Sequence, residues 1–178
     1  GCTTLVSWSG SMFEYLMPLL MLRSHPETLL ENTCRAAVRA QILYGRRQRV
    51  PWGISESAYD VVDPHGSYQY KAFGVPGLGL KRGLAEDLVV APYATALAAL
   101  VDPAAAAANF HRLAREGAAG RFGFDEALDY TPLKTLAPDG ETAPGHTRVH
   151  RVRAFFAHHQ GMSLVALANA VLGAPMVR

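Results

Sequence analysis

The chain has 178 residues, enough for one domain whose core would bury roughly two-thirds of the surface that the unfolded chain exposes. Apolar residues make up 49% and charged residues 18%, a balance that excludes a disordered chain. With 17 basic against 15 acidic side chains the formal charge is +2, which argues against nucleic acid or an anionic membrane and favours a neutral partner.

The opening G-C-T-T-L-V-S-W-S-G has neither Met nor a basic leader and reads as an internal point of a longer chain. Cys2 and Cys34 fit no Cys-x-x-Cys spacing, and a disulfide between them is the one pairing the sequence allows. Ser11 to Leu22 has helical apolar spacing interrupted by Pro18, which predicts a short or kinked helix. That run carries Glu14 and is shorter than the roughly 20 residues a membrane span needs, so no transmembrane segment is expected.

Pro26 to Gly45 has Pro in the first turn, early acids, later arginines and a terminal Gly, the signature of a helix stopped at Gly45. From Val50 to Gly79 periodicity fails while Gly, Pro, Ser and aromatic residues accumulate, as in a long functional loop. Pro92 is placed to start a helix, and Asp102-Pro103 to cap another that ends at Gly117. Leu133 to Val149 reads as an exposed excursion rich in Pro, Gly and Thr. The last segment, F-F-A-H-H-Q-G-M-S-L-V-A-L-A-N-A-V-L-G, is an apolar helix with two histidines at its start. Strand signal is confined to Tyr68–Val75. The alternation of helix and loop predicts an all-α fold, a partial (α/α)6 toroid of helical hairpins with long functional loops.

Four acids sit in aromatic or Gly-rich surroundings: Glu14, Glu56, Asp87 and Glu126. Cleaving a glycosidic bond takes two carboxyl groups, one to protonate the leaving oxygen and one to act as nucleophile or to activate water. Flat aromatic faces suit the apolar C–H faces of a pyranose, and Trp8, Trp52, Tyr59, Tyr68, Tyr70, Phe122, Phe124 and Tyr130 flank these acids. Each acid also has a structural reading. Glu56 is open to capping a helix with Ser55 and Ser57, and Glu126 to lying at a helix start beside Asp125. Glu14 is open to anchoring a loop, and Asp87 to pairing with Lys81 or Arg82. The adjacent His158 and His159 point in different directions on a helix, which is poor metal geometry. No Gly-x-Ser-x-Gly elbow surrounds the Ser-Glu-Ser run, and G-V-P-G-L-G-L lacks the strand-to-helix context of a dinucleotide site.

Taken together, S-W-S-G-S-M-F-E-Y-L-M-P, V-P-W-G-I-S-E-S-A-Y, Y-Q-Y-K-A-F-G-V-P-G-L-G-L-K-R-G-L-A-E-D-L-V-V-A-P-Y, G-R-F-G-F-D-E-A-L-D-Y-T-P and A-H-H-Q-G-M-S-L-V-A-L-A-N resemble the glucoamylase-like domain of the cyclic β-1,2-glucan synthases. The resemblance runs through nearly the whole chain in consistent order. It implies that residues 1–178 are the C-terminal part of one glucoamylase-like toroid, in a bacterial inner-membrane protein with further domains. It also implies a glycoside hydrolase or transglycosylase that closes linear β-1,2-glucan into rings, with no cofactor and no metal. In that family's pattern Glu56 is the acid/base and Glu126 its partner carboxylate, with Glu14 in reserve. Trp8, Trp52, Tyr59, Tyr68, Tyr70, Phe73, Tyr130, His158, His159 and Gln160 would line the sugar subsites. Plain hydrolysis, and a sugar-binding or scaffolding module without turnover, remain as alternatives.

Overall fold

A computed structural model describes residues 4–132, 134–136, 142–144 and 149–177, with 134–136 and 142–144 described by backbone alone. Helix α1 (Met12–Leu16) starts where the Ser11 hydroxyl accepts the Glu14 N–H at 3.3 Å. Pro18 has no N–H to continue an i→i−4 ladder, and the chain tightens into a 3₁₀ turn over Met17–Leu20, the break that its position predicts. Helix α2 (Leu29–Gln48) is capped by Thr28 and ends on Arg49 in the left-handed region. Gly45 therefore does not stop it. It lies inside the helix because Trp52 packs there, and a Cβ would meet the Trp52 Cβ at 2.8 Å.

Helix α3 (Pro92–Ala98) carries no charge and is buried on every side, as a helix apolar all round must be. It packs against α1, against α4 (Pro103–Arg115), whose first turn is capped by the Asp102 carboxylate, and against α5 (Ala157–Leu172). Helices α3 and α4 begin at Pro92 and at Asp102-Pro103, which mark them in the sequence, and α5 ends at Gly173 with φ 73°.

The expectation of an all-α (α/α)6 toroid is overturned. Among the described residues, five α-helices share the chain with nine short strands, all of whose pairings are antiparallel. The supposed long loop after Val50 folds into a hairpin, β1 (Ser57–Val62) on β2 (Tyr68–Lys71), whose turn is held by the Asp63 carboxylate accepting the His65 and Ser67 N–H groups at 2.9 Å. A three-stranded sheet puts β6 (Ala127–Asp129) between β3 (Val89–Val90) and β9 (His150–Val152). Two small ribbons complete the set: β4 (Ala119–Gly120) with β5 (Gly123–Phe124), and β7 (Lys134–Leu136) with β8 (Thr142–Pro144). Strands of two or three residues carry too few alternations for a period of two to show, so they leave no sequence signal.

Apart from β7 and β8, the expected excursion over 133–149 falls largely outside the described residues. So does the Cys2–Cys34 pairing that the sequence allows, because Cys2 does; Cys34 is buried, its thiol donating to the Tyr15 carbonyl at 3.4 Å. No helix among the described residues is long and apolar enough to cross a membrane.

Candidate active site

The stretch Trp52–Ser57 runs through the interior without being helix or strand until Ser57, so its backbone polar groups need partners. Two distant side-chain amides supply them. Gln41 on α2 donates to the Ile54 carbonyl at 2.7 Å and accepts the Ile54 N–H at 2.8 Å. Asn109 on α4 treats Trp52 the same way, donating to its carbonyl at 2.8 Å and accepting its N–H at 3.2 Å. Each amide mimics the edge of a neighbouring strand. The Gly53 carbonyl accepts from Ala91, and Ser55 Oγ accepts from the Phe13 N–H at 3.0 Å. This fastening delivers Glu56, half-buried, to the start of β1. Among the described residues its carboxylate has no hydrogen-bond partner; its carbonyl accepts from the Tyr93 hydroxyl at 3.0 Å.

Glu126 lies just before β6, and not at the start of a helix as the Asp125–Glu126 pair suggests. Its side chain is 1% exposed. Both oxygens face Nδ1 of His159, at 2.9 and 3.0 Å, and Oε1 also accepts the Ala58 N–H at 3.3 Å. His159, in the first turn of α5, is fully buried, its ring stacked on Tyr93 at 3.7 Å and 9°. Its Nε2 lies 3.2 Å from the Tyr70 hydroxyl, and Tyr70 on β2 is 43% exposed. Glu126, His159 and Tyr70, from three separate stretches, thus form one hydrogen-bonded line, and Tyr93, stacked on His159 and bonded to the Glu56 carbonyl, joins Glu56 to the same wall. The Tyr70 phenol is pushed well above its ordinary range, first by burial, then by the negative charges of Glu56 and Glu126. The Tyr93 phenol, buried and feeling the same two carboxylates, is raised as well.

The remaining expected residues divide. His158 is exposed, its ring 6.3 Å from that of Tyr70 and 5.8 Å from that of Phe156, so it shares this wall. Gln160 lines a cavity of about 320 Å³ that reaches Glu126 and His159 from the side of α5 bearing Ser163 and Leu167, with Tyr93, Phe110 and Phe124 opposite. Tyr59 stands edge-on to Phe73 at 5.5 Å, and Tyr68 is partly buried against the core. Trp52, Phe73 and Tyr130 are core residues, 7%, 3% and 4% exposed. Trp8 stands out in solvent at 67%. The Glu14 carboxylate accepts from the Ser9 hydroxyl at 2.7 Å and from the Ser9 and Gly10 N–H groups at 3.0 Å. Asp87 pairs with Lys71, which reaches it from β2, while Lys81 donates to the Ala72 carbonyl. Among the described residues no three His, Cys, Asp or Glu side chains gather around a point that a metal ion would occupy.

Sequence reasoning passes over Ser55, Tyr93 and Phe156. Ser55 Oγ and the Tyr93 hydroxyl lie 2.7 Å apart, and the Phe156 ring stands edge-on to Tyr70 at 5.7 Å. The signal for Tyr93 is present in the sequence: it is the one aromatic residue with a polar tip in the otherwise apolar helix that Pro92 opens, and a buried Tyr needs a partner for its hydroxyl.

The chain has relatives. The chain is 49% identical over 167 residues to the cyclic beta-(1,2)-glucan synthase NdvB of Rhizobium meliloti (strain 1021), covering 94% of this chain and 6% of that protein. The crystal structure of a "putative glucoamylase" from Bacteroides uniformis ATCC 8492 superposes with a TM-score of 0.54 at 20% identity, covering 92% of this chain and 36% of that one. At that identity the likeness concerns the fold alone. The chain therefore spans 6% and 36% of the lengths of these two proteins. The model of the family Glycoamylase, described as "Putative glucoamylase", matches residues 1–174, and the chain belongs to that glycoside-related family.

Proposed function

We propose that the chain processes a β-1,2-linked glucan, transferring a glycosyl group to a sugar hydroxyl and so closing linear chains into rings. Glu56 is the carboxylate that meets the glycosidic oxygen as acid/base, and Glu126 is its partner carboxylate, working from within the wall. The partners on this reading are the glucan and the other domains of a larger synthase. One observation carries the proposal: Tyr93 brings the two acids to one place, its hydroxyl donating to the Glu56 carbonyl at 3.0 Å and its ring stacked at 3.7 Å on His159, whose Nδ1 faces Glu126 at 2.9 Å. A pair of carboxyl groups is what glycoside cleavage uses, and the match to NdvB supports a β-1,2-glucan as the sugar.

Incubation with linear β-1,2-glucan separates the variants of this reading. Rings among the products mean transfer, and short linear pieces mean hydrolysis. Glu56→Gln removes the proton donor at unchanged shape and is expected to lower turnover at least about 100-fold; near-normal turnover in that variant removes Glu56 from the mechanism. A second reading, a glucan-holding module without turnover, draws on the enclosure of Glu126, whose oxygens are taken by His159 and Ala58. In that case binding survives Glu56→Gln and no product forms under any condition.

A further inference from the structure

The hydrogen bonds of Glu126 run to His159 and Ala58, and they give this carboxylate a second task beside the one proposed above. A carboxylate has only acceptors, and Oε1 already accepts the Ala58 N–H. The nitrogen facing it, Nδ1 of His159, must therefore carry the hydrogen. In a neutral imidazole that leaves Nε2 as a bare acceptor, and among the described residues its hydrogen-bond partner is the Tyr70 hydroxyl at 3.2 Å. His159 cannot rotate out of this role, since it is wholly buried and stacked flat on Tyr93. The hydroxyl of Tyr70 then points its hydrogen inward, away from solvent, although the residue itself is 43% exposed.

We infer that Glu126 and His159 form an orienting device that turns the Tyr70 hydroxyl inward, so that Tyr70 offers only oxygen lone pairs to a glucan and selects a sugar hydroxyl that donates. In this contact Tyr70 is the residue that meets the substrate, and Glu126 and His159 act through it by positioning its hydroxyl. A phenol strongly held in its neutral form, as burial and the two nearby carboxylates hold this one, keeps its hydrogen available for that inward bond. For its substrate the inference rests on the glucan reading given above, but for its geometry it does not.

The tautomer is directly measurable. In protein labelled with 15N-histidine, long-range proton–nitrogen correlation spectra are expected to show His159, assigned by the loss of its signals in His159→Gln, as the Nδ1-protonated form with an unprotonated, hydrogen-bonded Nε2. The opposite tautomer overturns the inference. Glu126→Gln is expected to reverse it: the amide oxygen stays with the Ala58 N–H, the NH2 group turns to Nδ1, and the hydrogen on the ring moves to Nε2. Titration with a linear β-1,2-gluco-oligosaccharide supplies the second arm. Tyr70→Phe is expected to raise Kd about five- to tenfold, one hydrogen bond's worth, while the tautomer of His159 is kept. Unchanged affinity in that variant removes Tyr70 from the contact. A wild-type chain that binds no glucan overturns the substrate named here and in the glucan reading, and the orientation of Tyr70 then stands or falls on the tautomer alone.

Discussion

Two stretches of this chain are built from nearly the same letters, W-S-G-S-M-F-E at Trp8–Glu14 and W-G-I-S-E-S at Trp52–Ser57, and the fold uses them in opposite ways. In the first, Trp8 is out in solvent and Glu14 is tied down, its oxygens accepting from Ser9 and Gly10. In the second, Trp52 is buried and Glu56 is free of partners among the described residues. The difference lies in who satisfies the backbone. At Ser9–Gly10 the local carboxylate does it. At Trp52 and Ile54 the amides of Asn109 and Gln41 do it, from helices far along the chain, and the local carboxylate is left for other work. Gly74 and Gly79 lock the first stretch further: the chain of Ser9 passes so close that a Cβ on Gly74 would lie 1.7 Å from the Ser9 carbonyl oxygen. The G-V-P-G-L-G-L run is thus a seat for backbone.

On that account, removing one of these amides costs the second stretch its support. Gln41→Ala leaves the Ile54 N–H and carbonyl without their Gln41 partners in an environment where Gln41 is 1% exposed, and the carbonyl keeps only the Met12 N–H at 3.1 Å. Two such losses of about 1–2 kcal/mol each give a destabilisation of about 3 kcal/mol in urea unfolding. A loss below about 1 kcal/mol would mean that the segment holds its shape without the amide. Gln41→Glu keeps the acceptor but sets a buried carboxylate oxygen against the Ile54 carbonyl, and above pH 6 is expected to cost at least as much as Gln41→Ala.

A smaller effect, with a definite pH window, belongs to the first stretch. Burial raises the Glu14 carboxyl, but the hydrogen bonds from Ser7, Ser9 and Ser11 together outweigh it and hold the group below its ordinary value of 4.5. The folded chain therefore binds this proton less readily than the unfolded chain. Its contribution is whole above pH 4.5 and disappears as pH falls through the lower folded value. Because Glu14 is well exposed, solvent screening keeps the contribution under about 1 kcal/mol. Glu14→Gln is expected to flatten the acid limb of the stability curve by that amount and to leave the region above pH 6 nearly parallel to wild type. An acid limb of unchanged slope would remove the carboxylate from the loop's support.

The same contrast explains what could be read in advance. Starts and breaks of helices were legible at Pro18, Pro92 and Asp102-Pro103, because capping and proline act within one turn. The link between Ser11, Glu14 and the Ser9 loop is equally local. Illegible were the contacts whose partners lie far along the chain: Glu126 with Ala58 and His159, Asp129 accepting the Asp60 N–H at 3.0 Å, and Gln41 with Ile54. F-D-E-A-L-D-Y reads as the start of a helix because acids precede Ala and Leu. It becomes a strand because Val90 and Arg151 pair with Leu128 from both sides, a tertiary fact that no local preference records. The acids of the candidate site could be singled out, therefore, while the reach of each could not.

The smallest stability change is expected at the most conspicuous residue. Trp8 has 67% of its surface in water and contributes to structure through its backbone carbonyl, which accepts the Lys81 N–H at 2.8 Å, a bond that any side chain at this position preserves. Trp8→Ala should leave the unfolding free energy within about 0.5 kcal/mol of wild type, whereas Trp52→Ala, which empties part of the core against Gly45, should lower it by about 3–5 kcal/mol. If Trp8 is a sugar platform, its removal weakens binding of linear β-1,2-glucan at unchanged stability, since stacking on one aromatic face depends on the ring alone. Equal affinity in Trp8→Ala and wild type would instead make the first stretch wholly structural, its loop held by Glu14 and Gly74 for the sake of packing, and would leave glucan contact to the wall around Glu56 and Tyr70.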